Sequence, residues 1–167
     1  HEINNSFFKT SAPFNLINST LFEDGSISIQ NPLNGFVVNL LDPQDHEIII
    51  DGCSAPGGKG TFLSLKAPNS TIFSIDINRS RMKKTNSSIK RHGIKNIKSL
   101  ILDMSRDIFP KANKILIDVP CSGTGVINRR VDLKWKRTMN DIKKSTKLQY
   151  DILSHSSKRL LDNGIIV

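Results

Sequence analysis

Asp118 and Cys121 stand three residues apart in the run Asp118-Val119-Pro120-Cys121-Ser122-Gly123-Thr124-Gly125. A thiolate is a strong, soft nucleophile, although an unperturbed cysteine is only a few per cent ionised near neutral pH. Carbon 5 of a cytosine is a poor nucleophile until a thiolate adds to carbon 6 and a nearby acid supports nitrogen 3. A cysteine and an aspartate on one loop shaped by proline and glycine are the parts for that chemistry. The competing reading is a small buried cysteine beside a strand, with Pro120 and the glycines only forming the turn.

A second run, Asp51-Gly52-Cys53-Ser54-Ala55-Pro56-Gly57-Gly58-Lys59, leads from the apolar Ile48-Ile49-Ile50 into a helical pattern. A Gly-rich turn of this kind lets a ligand touch bare backbone and offers helix N–H groups to its acidic part. The three spaced glycines of the dinucleotide fingerprint are absent, and the spacing before Lys59 is not that of a P-loop. Asp76 lies 18 residues after Gly58, the separation at which an acid ending the second strand reaches a ribose hydroxyl. A nucleoside ligand follows, against the plainer reading of a tight turn and a strand-end carboxylate. Asp103, after a third apolar run, suits a hydrogen bond to an exocyclic amine such as that of adenine, and suits a simple turn as well.

Downstream, Arg129, Arg130, Lys134, Lys136 and Arg137 flank Trp135. Arg and Lys neutralise phosphates, and an indole stacks on an unpaired base or packs into a core. The net charge of +9 is unevenly placed, with −6 over residues 1–58 and +15 over residues 59–167. Such asymmetry points to a polyanionic partner, nucleic acid first, or to a solvated basic surface. The stretch from Arg79 to Lys98 holds eight bases and no acids. It falls mostly on a covering helix and reads as a solvated face.

The elements that must position these groups alternate. Ser26–Gln30 has the period of a short strand. Asn31-Pro32 is a helix start, a capping side chain before proline, and the helix runs to Leu41 before Asp42-Pro43. Strands are expected at 48–51, 71–76, 97–102 and 114–118. Helices are expected from Gly58 to Lys66, from a Ser80 cap to Gly93, and from Met139 to Leu161. The last opens with a Thr138/Asp141 capping box and closes at Asn163-Gly164, before a fifth strand at 165–167. This order means a parallel, doubly wound α/β sheet whose ligands bind beyond the carboxyl ends of the strands. Asp51, Asp76, Asp103 and Asp118 all fall at those ends.

At 167 residues the chain suits one compact domain. No apolar run approaches the roughly 18 residues of a membrane span. Two cysteines, Cys53 and Cys121, build neither a disulfide framework nor a four-ligand zinc site, so reduced thiols in a cytoplasm and no metal are expected. Residues 1–25 read as an arm or the end of a further domain, and residues 26–167 as the main domain. The start at His1 and the stop at Val167 inside an apolar run read as a fragment cut at both ends.

Five segments, D-G-C-S-A-P-G-G-K, S-I-D, I-L-D-M, D-V-P-C-S-G-T-G and R-R-V-D-L-K-W, resemble in order and spacing the Nop/Sun family of RNA cytosine-5 methyltransferases. The likeness covers about Leu21 to Val167 and includes G-S-I-S-I-Q before the capped helix. It implies a Rossmann-like methyltransferase fold, incomplete at its C-terminal strands, acting on ribosomal RNA of the small subunit. It implies S-adenosylmethionine held by Cys53, Ser54, Ala55, Pro56, Gly57, Gly58 and Lys59, with Asp76 on the ribose and Asp103 near the adenine. Asp118 then lies beside the methionine end and the target base. Cys121 matches the family's loop cysteine, which helps release the product. The family's nucleophile is a second cysteine in a T-C pair after the fifth strand, beyond Val167, so the fragment alone is expected to be inactive; the sequence does not give the oligomeric state, and a monomer is expected at full length. Departures are Asn31 for Asp, Ser54 for Ala, Gly60 for Thr and Val131 for Pro. Two other readings stand beside this one: a non-catalytic RNA-binding or ribosome-assembly module with the same fold, and a methylase that attacks with Cys121 itself.

Overall fold

The computed structural model of the chain describes residues 2–4, 7–126, 128 and 131–167. Glu2–Asn4 (β1) and Phe7–Phe8 (β2) pair as an antiparallel ribbon, followed by two short helices, Pro13–Ile17 (α1) and Thr20–Glu23 (α2). Ser26 is a bend and residues 27–30 have no regular secondary structure and join no sheet, which corrects the strand expected there. Alternation specifies an extended chain, whereas a ladder also needs a partner. Here the Ile27 N–H closes locally on the Leu21 carbonyl, and the Gln30 side chain donates to the Gly58 carbonyl at 2.7 Å.

The helix Pro32–Leu41 (α3) forms as its signals require. The Asn31 side chain accepts the Leu33 N–H at 3.0 Å, and Asp42 ends the helix in the left-handed region. The alternating part follows: Ile48–Gly52 (β3), Gly58–Lys66 (α4), Thr71–Ile75 (β4), Arg79–Arg91 (α5), Ile97–Leu100 (β5), Ala112–Ile117 (β6), Leu133–Lys136 (α6), Met139–Ser157 (α7) and Leu160–Ile166 (β7). Five of these strands make one all-parallel sheet in the order β5-β4-β3-β6-β7.

Successive residues of β3 point to opposite faces, and each face has its own core. Ile49 packs with Val38, Leu41, Phe62, Leu63 and Leu116 beneath α3 and α4. Ile50 packs with Ile75, Phe109, Ile115 and Ile152 beneath α7. The sheet is therefore covered on both sides, the doubly wound arrangement expected from the strand–helix alternation.

Two helix ends differ from the sequence reading. The cap of α5 is Asn78, whose side chain accepts the Arg81 N–H at 3.0 Å; Ser80 sits inside the first turn and donates its hydroxyl to Asn78. The long helix α7 opens on the Thr138/Asp141 capping box but stops at Ser157. Asn163-Gly164 lies within β7, where the register moves from Ala112 opposite Leu160 to Lys114 opposite Ile165. The left-handed backbone of Asn163 (φ 60°) serves a bulge rather than a helix cap.

The strand order reverses between β3 and β6, the place in such a sheet where a crevice opens. Gly52 and Ile117 are register partners there, and the Asp118 N–H donates to the Gly52 carbonyl at 3.2 Å. The Cys53–Lys59 turn leaves one side of this point and the Asp118–Gly125 loop leaves the other.

Candidate functional site

The turn after β3 is held by backbone and side-chain bonds on every side. The Ser54 N–H donates to the Ile75 carbonyl at 3.0 Å, and its hydroxyl accepts the Ser74 hydroxyl at 2.7 Å, so this buried side chain braces the sheet. The Ala55 N–H donates to Asp76 Oδ2 at 3.0 Å, and the Ala55 carbonyl accepts from the Arg81 guanidinium. Pro56 is exposed; Gly58 and Lys59 are half-buried. Gly57 has φ 98°, and a Cβ on it would lie 2.7 Å from Thr85 Cγ2. Only glycine combines that backbone with that approach.

Gly57 also caps α4 without a side chain. The first N–H groups of the helix thus have no capping acceptor and present the positive end of its dipole, a fit for an acidic group. Asp76 is 4% exposed and accepts backbone N–H groups through both oxygens, from Ala55 and from Asn78 at 2.8 Å. It fixes the turn and the start of α5, and each oxygen keeps a second lone pair for a ligand hydroxyl.

Asp51 lies directly beneath. It is fully buried, and neither side-chain oxygen has a hydrogen-bond partner. Burial pushes its carboxyl up to about 7, against the pull of Lys59 and the nearby Gly60 N–H. A Cβ on Gly60 would stand 2.7 Å from Asp51 Oδ2, so glycine at this position leaves room for the carboxylate. Cys53, left-handed at φ 55°, faces the same group of acids. Burial first, and then Asp76, Asp118, Asp51 and Asp103, push its thiol up to about 12 and keep it protonated.

Across the switch point, Lys59 Nζ donates to Asp118 Oδ2 at 2.6 Å. Asp118 is 61% exposed in its side chain, so the carboxylate faces both the lysine and the crevice mouth. Cys121 is exposed, not the small buried cysteine of the competing reading. Gln149 of α7 secures this loop by donating to the Pro120 carbonyl at 2.9 Å. Asp103 turns on itself: its Oδ1 accepts the Ser105 hydroxyl at 2.6 Å and N–H at 3.0 Å, and Oδ2 meets Arg106 Nε at 3.0 Å. These bonds, the Ser105 hydroxyl foremost, hold its carboxyl below the usual range.

The structure therefore gathers the turn, Asp76 and Asp118 at one end of the sheet. Trp135 on α6 is 80% exposed, Lys136 pairs with Asp132 at 3.3 Å, and Arg137 is exposed. Arg129, Arg130 and the side chain of Lys134 lie outside the described residues. The sequence places Asp51 among the strand-end acids but assigns it no role, and it does not single out Arg81 or Gln149. For Gln30 a signal was present, because it closes the G-S-I-S-I-Q segment.

A cavity of about 1400 Å³ lies elsewhere, between the N-terminal segment and α4, lined by residues such as Phe7, Ile27, Ile29, Phe62 and Leu65. It is mainly apolar and holds none of the residues at the switch point. Among the described residues no group of His, Cys, Asp and Glu could hold a metal ion, and no helix is long and apolar enough to cross a membrane.

Residues 38–167 match the family model for 16S rRNA methyltransferase RsmB/F. The chain is 35% identical over 153 residues to ribosomal RNA small subunit methyltransferase B of Citrobacter koseri, covering 87% of this chain and 35% of that protein. NSun6 from Pyrococcus horikoshii, solved with SFG, superposes with a TM-score of 0.81 at 32% identity, covering 90% of this chain and 39% of the other. A methyltransferase homologue from the same organism gives 0.78 at 30% identity, with 92% and 49% covered. The chain thus spans about a third of the length of the curated relative it matches. With its motifs, its topology and these likenesses in agreement, the chain belongs to the 16S rRNA methyltransferase RsmB/F family.

Proposed function

We propose that this domain, residues 26–167, takes part in S-adenosylmethionine-dependent methylation of cytosine carbon 5 in RNA, small-subunit ribosomal RNA in particular. The observation that carries it is the meeting at the β3/β6 switch point of an uncapped helix N-terminus, a buried strand-end acid and a loop bearing Asp118 and Cys121. A solved relative holds SFG, an S-adenosylmethionine analogue. When bound, the cofactor supplies an electrophilic methyl group on a sulfonium.

The chain's own residues divide the remaining work. The N–H groups of Gly58 and Lys59, at the start of α4, take the amino-acid carboxylate. Asp76 takes the ribose hydroxyls, and Asp103 orients the adenine amine. Asp118 hydrogen-bonds the target ring at nitrogen 3 and, as the acid, donates the proton that nitrogen 3 takes up when carbon 6 is attacked. Lys59 fixes the position of that carboxylate. Cys121 serves the elimination that removes the carbon 5 proton and restores the ring. Its exposure, three residues from Asp118, also supports a second reading in which Cys121 itself adds to carbon 6.

The test uses protein of the relatives' full length with labelled S-adenosylmethionine and unmethylated small-subunit ribosomal RNA. Label at cytosine carbon 5 supports the proposal. RNA binding with no transfer would make the protein an assembly module. Trapping on 5-fluorocytosine RNA separates the two cysteine roles. Cys121→Ser accumulates the covalent adduct if Cys121 acts in release, and forms none if it is the nucleophile.

A further inference from the structure

We infer that the solvent face of α5 is a second contact surface for the phosphate backbone of the substrate RNA, continuous with the site; this rests on the RNA reading above. From Ile77 to Leu102 there are eight bases and no acids. Lys95 lies beyond the end of α5, and the structure sorts the other seven by what they do. Arg91 belongs to the fold, donating to the Phe22 and Ile27 carbonyls and lying 4.1 Å over the Phe22 ring. Arg81 is tied to the Ala55 carbonyl, and Lys98 lies over Phe73. Arg79, Lys83, Lys84 and Lys90 are exposed, and among the described residues none of them makes an ion pair or a side-chain hydrogen bond.

Their placement is not that of an ordinary solvated helix. Such helices mix signs at i,i+4 spacing and carry acids in the first turn. The first turn of α5 has no acid, and its cations begin at the positive end of the helix dipole. α6 and α7 each pair a Lys with an Asp at i,i+4; α5 has no acid to pair. Met82 and Thr85 are buried on the inner side. Arg79, Lys83 and Lys90 follow one another along one outer stripe, about 16 Å long at 1.5 Å per residue. Exposed Asn86 and Ser87 fill the gap between Lys83 and Lys90, the hydrogen-bonding types that accompany Lys and Arg on phosphates.

The stripe starts where the chemistry is. α5 begins right after Asp76, at the carboxyl end of β4, and Arg81 joins it to the cofactor turn. An RNA strand delivering a base to the switch point passes this helix end. The stripe offers neither the aromatic and apolar anchors of a protein interface nor a free apolar face for a lipid surface, since the apolar side of α5 is already buried. Charge complementarity leaves a polyanionic backbone as the occupant.

The experiment compares the full-length protein with its Lys83→Glu/Lys84→Glu/Lys90→Glu variant for binding a fluorescent ribosomal RNA fragment across a salt series. The variant is expected to bind at least about tenfold more weakly at low salt, with the salt slope reduced by roughly two to three. Its thermal midpoint should fall by only a few degrees, because only Lys90→Glu sets an acid against the dipole, in the last turn of α5, and its S-adenosylmethionine affinity should be unchanged. Equal affinity and slope in the two proteins overturns this surface while a methylating wild type leaves the enzymatic reading standing. A wild type that neither binds nor methylates RNA overturns both. Tighter binding of anionic vesicles than of RNA, lost in the variant, assigns the face to a membrane and overturns the RNA surface.

Discussion

Lys59 and Asp118, 59 residues apart in sequence, meet at 2.6 Å across the point where the strand order reverses. The lysine comes from the first turn of α4 and the aspartate follows the end of β6, so one ion pair joins the Gly-rich turn to the loop carrying Cys121. Asp118 is 61% exposed, and solvent screening limits the pair to about 1 kcal/mol or less of stability. Its value lies in position.

Lys59→Met in the full-length protein should therefore lower the melting temperature by only a few degrees while reducing methyl transfer at least about tenfold. Calorimetric melting and single-turnover assays check the two parts. Turnover equal to wild type would show that Asp118 holds its place without the lysine.

Asp76→Ala removes the acceptor of the Ala55 and Asn78 N–H groups as well as the proposed ribose contact. Cofactor binding should weaken by roughly 1.5–3 kcal/mol, about ten- to a hundredfold. Asp76→Asn keeps one acceptor oxygen and should fall between the two. Titration calorimetry showing one affinity for all three proteins would remove Asp76 from the cofactor site.

Asp51 makes stability pH-dependent with a definite sign. Burial raises its carboxyl from 3.8 to about 7, so between those values the folded chain holds a proton that the unfolded chain has released. Stability from this group is thus complete below the unfolded value and is lost as pH rises through about 7. The displacement corresponds to roughly 4 kcal/mol. Asp51→Asn should gain stability over wild type at alkaline pH by up to about that amount and lose the advantage in acid. Denaturant melts of both proteins across pH measure the difference; a difference independent of pH would show that Asp51 is ionised throughout.

Trp135 is 80% exposed on α6, in the basic loop beside the site. Trp135→Ala should weaken binding of RNA with an unpaired target by roughly 1–3 kcal/mol and leave duplex RNA nearly unaffected. Equal losses on the two substrates would mean that the indole shapes the loop rather than stacking on a base.

The legible parts of this fold are those coded within a few residues. The Asn31-Pro32 start, the left-handed stop at Asp42, the Gly57 turn and the Thr138/Asp141 box are local chemistry and stand where the sequence puts them. The illegible parts depend on remote partners. Ser26–Gln30 has strand alternation but no strand beside it. Asn163-Gly164 carries helix-stop chemistry that the pairing of β6 with β7 uses as a bulge. Arg91 looks like one base among eight until Phe22 is seen beneath it. Asp51 reads as a strand-end acid like Asp76; only the packed structure shows that both oxygens of Asp76 accept backbone N–H groups while neither side-chain oxygen of Asp51 has a hydrogen-bond partner. The separations of Asp76, Asp103 and Asp118 were readable because a parallel sheet delivers every strand end to one side.

That same parallel pairing governs the order in which the molecule is made. β3 meets β4 across a short crossover but waits for β6, and the Ile48–Asn113 bond beside that pairing closes a separation of 65 residues. Closing so long a loop comes before any of its contacts can reward it, so this contact sets a slow rate of folding. During synthesis the Gly-rich turn leaves the ribosome long before Asp118. The crevice between them is complete only when β6 slots in beside β3, and until then one edge of β3 stays open to other chains. The site is thus assembled from two halves made well apart, and a nascent chain halted before residue 112 holds one of them.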